Sequence, residues 1–397
     1  MARAACLALI ALLCWGHRPA AGVEVVSIPS LDGRLQLSGH WFEAVATGPR
    51  PAVVSLHGCG GLLDDRGRPG RNRLRVAEYF NVERIHVLLL DSFTPRGVKS
   101  ICETPVSRRS IQYEDRRDDV FAAIRWLAGR PGVDASRIGV IGYSHGGGTV
   151  LSVLDRTESA VRAQPFQPRA AVAFYPPCAR YVRMWRYEIG APLLLMIGEL
   201  DDWTPAHHCV SLHARVTRAQ PGASFELIVH PGSHHGFDGY GPVTLRWGLP
   251  TRTGAATVGA NPEARDRALR RTFEFLSAHL GAPLRLSHDE RFTGHRYAVP
   301  APSGFAAIDD VVAVPLDDAG RERYRRYLAR SAPKAFAISE RGGAFHAADD
   351  TEAMKTALAA CGAARARCWL YAVDDRVVWS DDVEARIDAG KLRRATP

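Results

Sequence analysis

Beyond its first residues, the sequence contains no hydrophobic run long enough to cross a membrane as a helix. It also contains no H-E-x-x-H pattern, and its adjacent histidine pairs, His207-His208 and His234-His235, are poorly arranged to converge on one metal ion. These absences argue against an integral membrane protein and against a metalloenzyme. We expect no catalytic metal and no cofactor.

The basic charge of the chain has no local pattern. The formal net charge is +9 and the pI is about 9.3, yet the arginines are scattered and no basic motif is interleaved with aromatic residues. We therefore expect no nucleic-acid partner, although a basic surface favours anionic polymers or acidic esters. With 397 residues, 46% hydrophobic and 23% charged, the composition is typical of a globular protein of two domains. The sequence does not indicate an oligomeric state.

Residues 1–22 have the pattern of a signal peptide. Arg3 gives a positive start, Ala4 to Trp15 is a short apolar stretch, and Ala20-Ala21-Gly22 supplies small residues for cleavage before Val23. We expect a secreted or periplasmic protein whose mature chain starts near Val23.

A G-x-S-x-G motif, Gly142-Tyr143-Ser144-His145-Gly146, follows the apolar run 137–141 and precedes a stretch that can open a helix. This strand–turn–helix context is that of a nucleophile elbow, in which a tight turn exposes the serine oxygen. The backbone N–H of the next residue then points at the developing oxyanion. We interpret Ser144 as a nucleophile; the alternative is an ordinary serine in a glycine-rich turn.

An acid and a histidine follow Ser144 in the order that such hydrolases use. The apolar run 192–198 is followed by Asp201-Asp202, and the run 225–229 is followed by His234-His235. We prefer Asp201, which is nearer the strand end, and His235, whose Gly-Phe continuation lets the loop turn back over the serine. We expect Asp202 or Thr204 to cap the helix that begins near Pro205.

A glycine-rich loop, Leu56 to Leu62, follows the strand pattern 51–56 and can bring backbone amides close to a substrate carbonyl. The hypothesis is that the N–H of Cys59, or of Gly60, pairs with the N–H of His145 to form an oxyanion hole.

These pieces together resemble the dienelactone hydrolase family of the α/β-hydrolase superfamily. The resemblance covers about residues 25 to 281, and its order and spacing are specific. The matching segments are Leu56 to Gly61, Asp91 to Phe93, Arg96-Gly97, Gly139 to Gly147, Gly198 to Pro205 and His235 to Phe237. Founding members of the family use a cysteine nucleophile, whereas this chain has Ser144. This departure favours a general serine esterase over a hydrolase of dienelactone itself.

Three residues are candidates for contact with the substrate. Arg96 follows a central strand and could bind a substrate carboxylate, or pair with a local acid instead. Tyr143 and Trp203 flank the site and could line the pocket, or serve only in packing.

Eight strand-like runs, near 23–28, 35–43, 52–56, 85–91, 138–142, 170–175, 193–198 and 225–229, alternate with helical patterns after the first two. This alternation predicts an α/β-hydrolase fold, a doubly wound and mostly parallel eight-stranded sheet, over residues 23–285. The first two strands are expected to form an antiparallel edge hairpin, and Asn261 to cap a last helix. Residues 239–260 are expected to be irregular, either a flap over the site or an uninvolved loop.

A second unit is expected beyond a linker at 286–302. Strand patterns at 334–338, 368–373 and 376–379, with a helical pattern at 351–361, predict a small α+β accessory domain over 303–380, followed by a polar tail at 381–397. It contains no catalytic constellation.

Six cysteines remain after the expected cleavage, and they allow 15 pairings. We expect the disulfides Cys59–Cys102, Cys178–Cys209 and Cys361–Cys368, each joining or flanking loops.

The predicted function is an exported serine hydrolase that cleaves a carboxylic ester or lactone, on a small molecule or a polymer, through an acyl-enzyme. The alternatives are a serine peptidase with a similar triad order and a non-catalytic binding protein on a hydrolase scaffold. A serine-directed fluorophosphonate probe separates the enzymes from the binding protein.

Overall fold

The computed structural model describes residues 23–285, 299–300, 302–348, 350, 352–363 and 366–379. The expected signal peptide 1–22, most of the expected linker, and the expected tail 381–397 lie outside the described residues. Within the described part of the chain, no helix is both long and apolar enough to cross a membrane.

One 8-stranded sheet forms the first domain, with the strand order β1-β2-β4-β3-β5-β6-β7-β8. β1 and β2 pair antiparallel at one edge, β2 is antiparallel to β4, and the remaining pairs are parallel. The strands are β1 Glu24–Pro29, β2 Gln36–Phe42, β3 Arg50–Leu56, β4 His86–Asp91, β5 Val133–Tyr143, β6 Ala170–Phe174, β7 Leu193–Gly198 and β8 Phe225–His230. The predicted fold and its antiparallel edge hairpin are confirmed.

Helices cover both faces of this sheet. Every residue of β4, β6 and β7 is buried, and apart from His86 and Asp91 at the ends of β4 these strands are continuous apolar runs rather than alternating ones. Asn261 caps the last helix by accepting a hydrogen bond from the N–H of Ala264 at 3.2 Å, as expected. The helices are α1 Arg71–Val82, α2 Tyr113–Ala128, α3 His145–Leu154, α4 Ser159–Arg162, α5 Ala179–Arg183, α6 Ala206–Ala219 and α7 Pro262–Leu280.

The segment expected to be irregular contains a hairpin. β9 Thr244–Trp247 pairs antiparallel with β10 Ala255–Val258. Ala256 is completely buried and belongs to a small apolar cluster with Cys59, Phe93, Cys102 and Leu249. The hairpin is therefore packed onto the rest of the domain.

An antiparallel four-stranded sheet of order β12-β11-β13-β14 forms the C-terminal domain. Its alternating strand β11 places Phe336 and Ile338 in one core and Ala335 and Ala337 in a second. The elements are α8 Asp318–Leu328, β11 Lys334–Ser339, β12 Ala344–Ala348, α9 Ala353–Gly362, β13 Cys368–Val373 and β14 Arg376–Val377. Two tyrosines of α8 join the first core, whereas α9 packs in the second.

Candidate active site

Ser144 stands in the turn between β5 and α3 with a strained backbone, φ 53° and ψ −114°. A Cβ at Gly142 would lie 2.2 Å from the carbonyl oxygen of Gly146, and a Cβ at Gly146 would lie 2.6 Å from the carbonyl oxygens of Leu56 and His57. Only glycine fits at either position, so the motif spacing follows from the close packing of this turn.

His235 connects the other two members of the predicted triad. Its Nε2 lies 2.9 Å from the Ser144 Oγ, and its Nδ1 lies 2.8 Å from the Asp201 Oδ2. Its neighbour His234 instead has Nδ1 3.2 Å from the carbonyl oxygen of Leu200, on the exposed side of the loop. The chain Ser144–His235–Asp201 is therefore continuous, with distances suited to hydrogen bonding.

Asp201 and Asp202 have separate partners. Asp201 is buried and accepts hydrogen bonds from the N–H groups of Trp203 and Thr204 at 3.0 and 2.7 Å. Asp202 accepts from the backbone N–H and the hydroxyl of Thr257 in β10, at 2.8 and 3.0 Å. Neither Asp202 nor Thr204 caps α6, whose N-cap is Pro205 with no side-chain hydrogen bond. That part of the prediction was wrong.

Thr204 belongs to the site, which the sequence reasoning missed. Its hydroxyl lies 2.9 Å from the Asp201 Oδ2 and 3.1 Å from the His235 Nδ1, next to the bond that joins them. The spacing of three residues after the acid was the available signal, since a threonine there can reach back to that carboxylate. Thr204 fixes the carboxylate from the same side as His235.

The acid and histidine loops approach each other closely at the end of β7. A Cβ at Gly198 would lie 2.3 Å from the carbonyl oxygen of Ser233. The N–H of Leu200 donates to that carbonyl at 2.9 Å. This contact holds the two loops together, with Asp201 facing His235.

The glycine-rich loop after β3 lies beside Ser144. Among the backbone hydrogen bonds of the described residues, none uses the N–H of Cys59, Gly60 or His145. The carbonyl oxygen of Cys59 accepts from the N–H of Ile101 at 2.9 Å, and its side chain is bonded to Cys102. The loop is therefore anchored through its carbonyl and its sulfur, which leaves the amide hydrogens available.

A cleft of about 440 Å³ opens onto Ser144 and His235. Tyr143 and Trp203 line it, together with the cationic residues Arg71, Arg73 and Arg246. The Trp203 ring is also 4.8 Å from the ring of His235, centroid to centroid. The residues that line the cleft are therefore both aromatic and cationic.

Arg96 does not line this cleft. Its guanidinium forms a two-pronged ion pair with Asp119, with both N–O distances 2.8 Å, and also donates to the carbonyl oxygen of Ser92. The ion-pair alternative therefore describes Arg96. The arginines that line the cleft, Arg71, Arg73 and Arg246, were not selected by the sequence reasoning. Of these, Arg73 pairs with Asp238 at 2.7 Å and Arg246 pairs with Glu103.

Three buried cationic or imidazole groups lie behind the glycine-rich loop. Burial and the neighbouring Arg116 hold the pKa of both His57 and His145 well below its usual range, so both rings are neutral at pH 7. Burial lowers the pKa of Arg116 to about 10, so its guanidinium keeps its charge at that pH. The histidine of the G-x-S-x-G motif is therefore distinct from His235, which faces the serine.

Three disulfides are present, Cys59–Cys102, Cys178–Cys209 and Cys361–Cys368, the pairs named from the sequence. Within the described ranges, no group of three or more His, Cys, Asp or Glu residues is arranged to hold a metal ion.

Known proteins resemble this chain in sequence and in fold. The model of the Dienelactone hydrolase family matches residues 101–280. A protein of Bradyrhizobium sp. named "Probable 2-oxo-3-(5-oxofuran-2-ylidene)propanoate lactonase" is 25% identical over 222 residues, which cover 51% of this chain and 81% of that protein.

Two solved structures are similar to this chain at lower sequence identity. Apo esterase 2 of Thermogutta terrifontis is 21% identical, over 67% of this chain and 97% of that chain, with a TM-score of 0.47. Dienelactone hydrolase of Anabaena variabilis is 18% identical, over 67% and 99% of the two chains, with a TM-score of 0.46. Residues 101–280 thus match the Dienelactone hydrolase family, the mostly parallel sheet has the α/β-hydrolase fold, and the family and lactonase matches support a hydrolase that acts on ester bonds.

Proposed function

We propose that this chain is an exported serine esterase or lactonase in which Ser144 is the nucleophile, His235 the general base and Asp201 the acid. The single observation that supports it best is the Ser144–His235–Asp201 chain, with its distances of 2.9 and 2.8 Å. In this mechanism His235 takes the proton from Ser144 as the oxygen attacks the ester carbonyl. Asp201 fixes the imidazole tautomer and stabilises the imidazolium.

The carbonyl oxygen becomes an oxyanion, and the N–H groups of Cys59, or Gly60, and His145 stabilise it. The tetrahedral intermediate collapses, the alcohol leaves with the proton held by His235, and an acyl-enzyme remains on Ser144. Water then attacks the acyl group with His235 again as base, which releases the acid and restores the serine. In a lactone the leaving alcohol stays attached to the acyl chain, so the product is one hydroxy acid.

We propose further that the ester carries a carboxylate. Arg71 lines the cleft, where a guanidinium can bind a carboxylate through two hydrogen bonds, and Arg246 lines it while also pairing with Glu103. The name of the Bradyrhizobium relative also specifies a lactone that carries a carboxylate, a propanoate. A neutral ester is then a poorer substrate than its carboxylate-bearing counterpart, mainly through KM.

The export part of the proposal is supported by the signal-peptide pattern of residues 1–22 and by three disulfides, which persist in oxidising compartments.

Hydrolysis of p-nitrophenyl acetate, butyrate and octanoate by residues 23–397, beside Ser144→Ala, tests the mechanism. We expect turnover in the wild type, at least a thousandfold loss in Ser144→Ala because the nucleophile is gone, and fluorophosphonate labelling only in the wild type. Failure of both turnover and labelling in the folded wild type would leave the binding-protein alternative. Release of peptides from a protein substrate, with no ester turnover, would favour the peptidase.

A further inference from the structure

Arg116 lies in the first turn of α2 and is completely buried, yet it is not part of the proposed triad or the oxyanion hole. Its Nη1 lies 2.9 Å from the Nδ1 of His145, and its Nη2 donates to the carbonyl oxygen of His57 at 2.9 Å. These two partners belong to the two backbone segments that carry the proposed oxyanion donors. One guanidinium therefore bridges the nucleophile elbow and the glycine-rich loop.

No carboxylate is hydrogen-bonded to Arg116 among the described residues. Asp119, the acid one turn further along α2, forms its two-pronged pair with Arg96 instead. The Nε of Arg116 is buried and has no hydrogen-bond partner within the described part of the chain. A buried cation without a bonded counter-charge is costly to the folded protein, and the negative charge that develops in an oxyanion would offset that cost.

The groups around Arg116 can accept the hydrogen bonds that its guanidinium donates. Because Arg116 donates to the Nδ1 of His145, that ring must be neutral, with its proton on Nε2. His57 contacts the carbonyl oxygen of Gly58 through Nδ1 at 2.8 Å, and its Nε2 accepts from the N–H of Ser92 at 3.4 Å. The centroid of the buried Phe93 ring lies 5.1 Å from the guanidinium carbon.

We propose that Arg116 is a positioning residue that holds both halves of the oxyanion hole in place and supplies the positive charge behind them. The inference rests on the proposed serine mechanism and adds to it a residue outside the triad. Arg116 touches no substrate atom; it acts through the His57 carbonyl and the His145 ring. Its contribution is therefore largest in the transition state, where the oxyanion exists, and small in the complex with the ester.

The test compares Arg116→Met and Arg116→Lys with Arg117→Met. Arg117 is the next residue of α2, is also buried, and pairs with its neighbour Asp118, so it controls for loss of a buried arginine from this turn. We would measure kcat and KM for p-nitrophenyl butyrate per fluorophosphonate-labelled serine. We would also measure the inhibition constant of a trifluoromethyl ketone with a propyl chain, which forms an oxyanion adduct with the serine.

For Arg116→Met we expect kcat to fall about a hundredfold, as for loss of one oxyanion donor, with KM within about threefold of wild type. The inhibition constant of the ketone should rise by about the same factor as kcat/KM falls. Arg116→Lys should lose less, because it keeps the charge but cannot reproduce the planar fork that reaches two acceptors. Arg117→Met should keep the wild-type values per labelled serine.

A kcat per labelled serine within threefold of wild type in Arg116→Met would overturn the inference, as would an equal loss in Arg117→Met. If Arg116→Met does not fold, Arg116→Lys against Arg117→Lys decides by the same criteria. The underlying serine mechanism fails separately, in the wild type, if neither the ketone nor the fluorophosphonate reaches Ser144.

Discussion

At the scale of single residues, two adjacent aspartates differ in their hydrogen-bond partners. Asp201 and Asp202 follow one another, yet one faces His235 and the other holds Thr257 of β10. Successive residues leaving a strand point in different directions, so adjacency predicts that only one of two such acids can serve the histidine. The hairpin β9–β10 binds Asp202 and leaves Asp201 for the histidine. The sequence-based preference for Asp201 rested only on its position near the strand end.

Replacing each acid by its amide separates the two positions. We expect Asp201→Asn to lower kcat roughly 10⁴-fold, because an amide at this position favours the wrong imidazole tautomer. Asp202→Asn keeps one acceptor for Thr257 and should change kcat by less than about tenfold. Steady-state kinetics with p-nitrophenyl butyrate measure both, and circular dichroism checks the fold. The reverse order of effects would move the acid to Asp202.

At the scale of elements, the eight strands of the main sheet could be predicted because the inner ones are apolar runs between turn residues, whereas β1 and β2 alternate buried and more exposed residues. The hairpin β9–β10 could not, because its strands have four residues each and are surrounded by glycine, threonine and proline. Strand β12, Ala344–Ala348, escaped for a similar reason, since alanine has little strand preference. Packing against neighbouring elements, rather than local propensity, determines these short strands.

Contacts between residues far apart in the chain also limited how much of the site could be predicted from the sequence. The serine, acid and histidine follow strand ends in chain order, and this order is visible in the sequence. Arg116 and Thr204 act through contacts whose partners depend on how α2 and the acid loop pack. The loop position of Arg96 suggested contact with a substrate, but its guanidinium is ion-paired with Asp119 of α2.

The disulfides make a prediction at this scale, because Cys59–Cys102 ties the glycine-rich loop whereas Cys361–Cys368 lies in the C-terminal domain. Replacing Cys59 and Cys102 by alanine should lower both stability, by up to about 4 kcal/mol from loop entropy, and kcat, because Cys59 loses its anchor. The Cys361–Cys368 disulfide closes a much shorter loop. Replacing both of its cysteines should therefore lower the stability by about 2 kcal/mol and leave kcat unchanged.

Thermal unfolding and ester turnover of the two double variants provide the comparison. An unchanged kcat in the Cys59/Cys102 variant would mean that the hydrogen bond from Ile101 to the Cys59 carbonyl is a sufficient anchor for the loop.

At the scale of the whole molecule, several histidines are buried in the hydrolase domain in their neutral form. Burial holds the pKa of His57 and His145 well below its usual range and lowers the pKa of His230 to about 4. As pH falls below 6.5, the unfolded chain takes up protons that the folded protein does not bind. Stability contributed by these neutral rings is therefore present above pH 6.5 and is lost toward acid.

We expect the Tm of the wild type to fall between pH 6.5 and pH 4.5, with each such histidine contributing at most about 1.4 kcal/mol per pH unit. His230→Gln removes one of these groups without replacing a residue of the proposed triad, so the Tm of this variant should decline less steeply over the same range. Differential scanning calorimetry at half-unit pH intervals measures both slopes. Parallel slopes would show that His230 does not titrate as its burial implies.

The hairpin β9–β10 has one consequence for how a substrate enters. Its base is joined to the triad segments themselves, because Thr257 binds Asp202 and the N–H of Gly259 donates to the carbonyl oxygen of His235 at 3.0 Å. Lifting the hairpin away from the site would break the hydrogen bond to the carbonyl oxygen of His235. We therefore expect the width of the cleft, rather than an opening of the hairpin, to limit which acyl and alcohol groups reach Ser144.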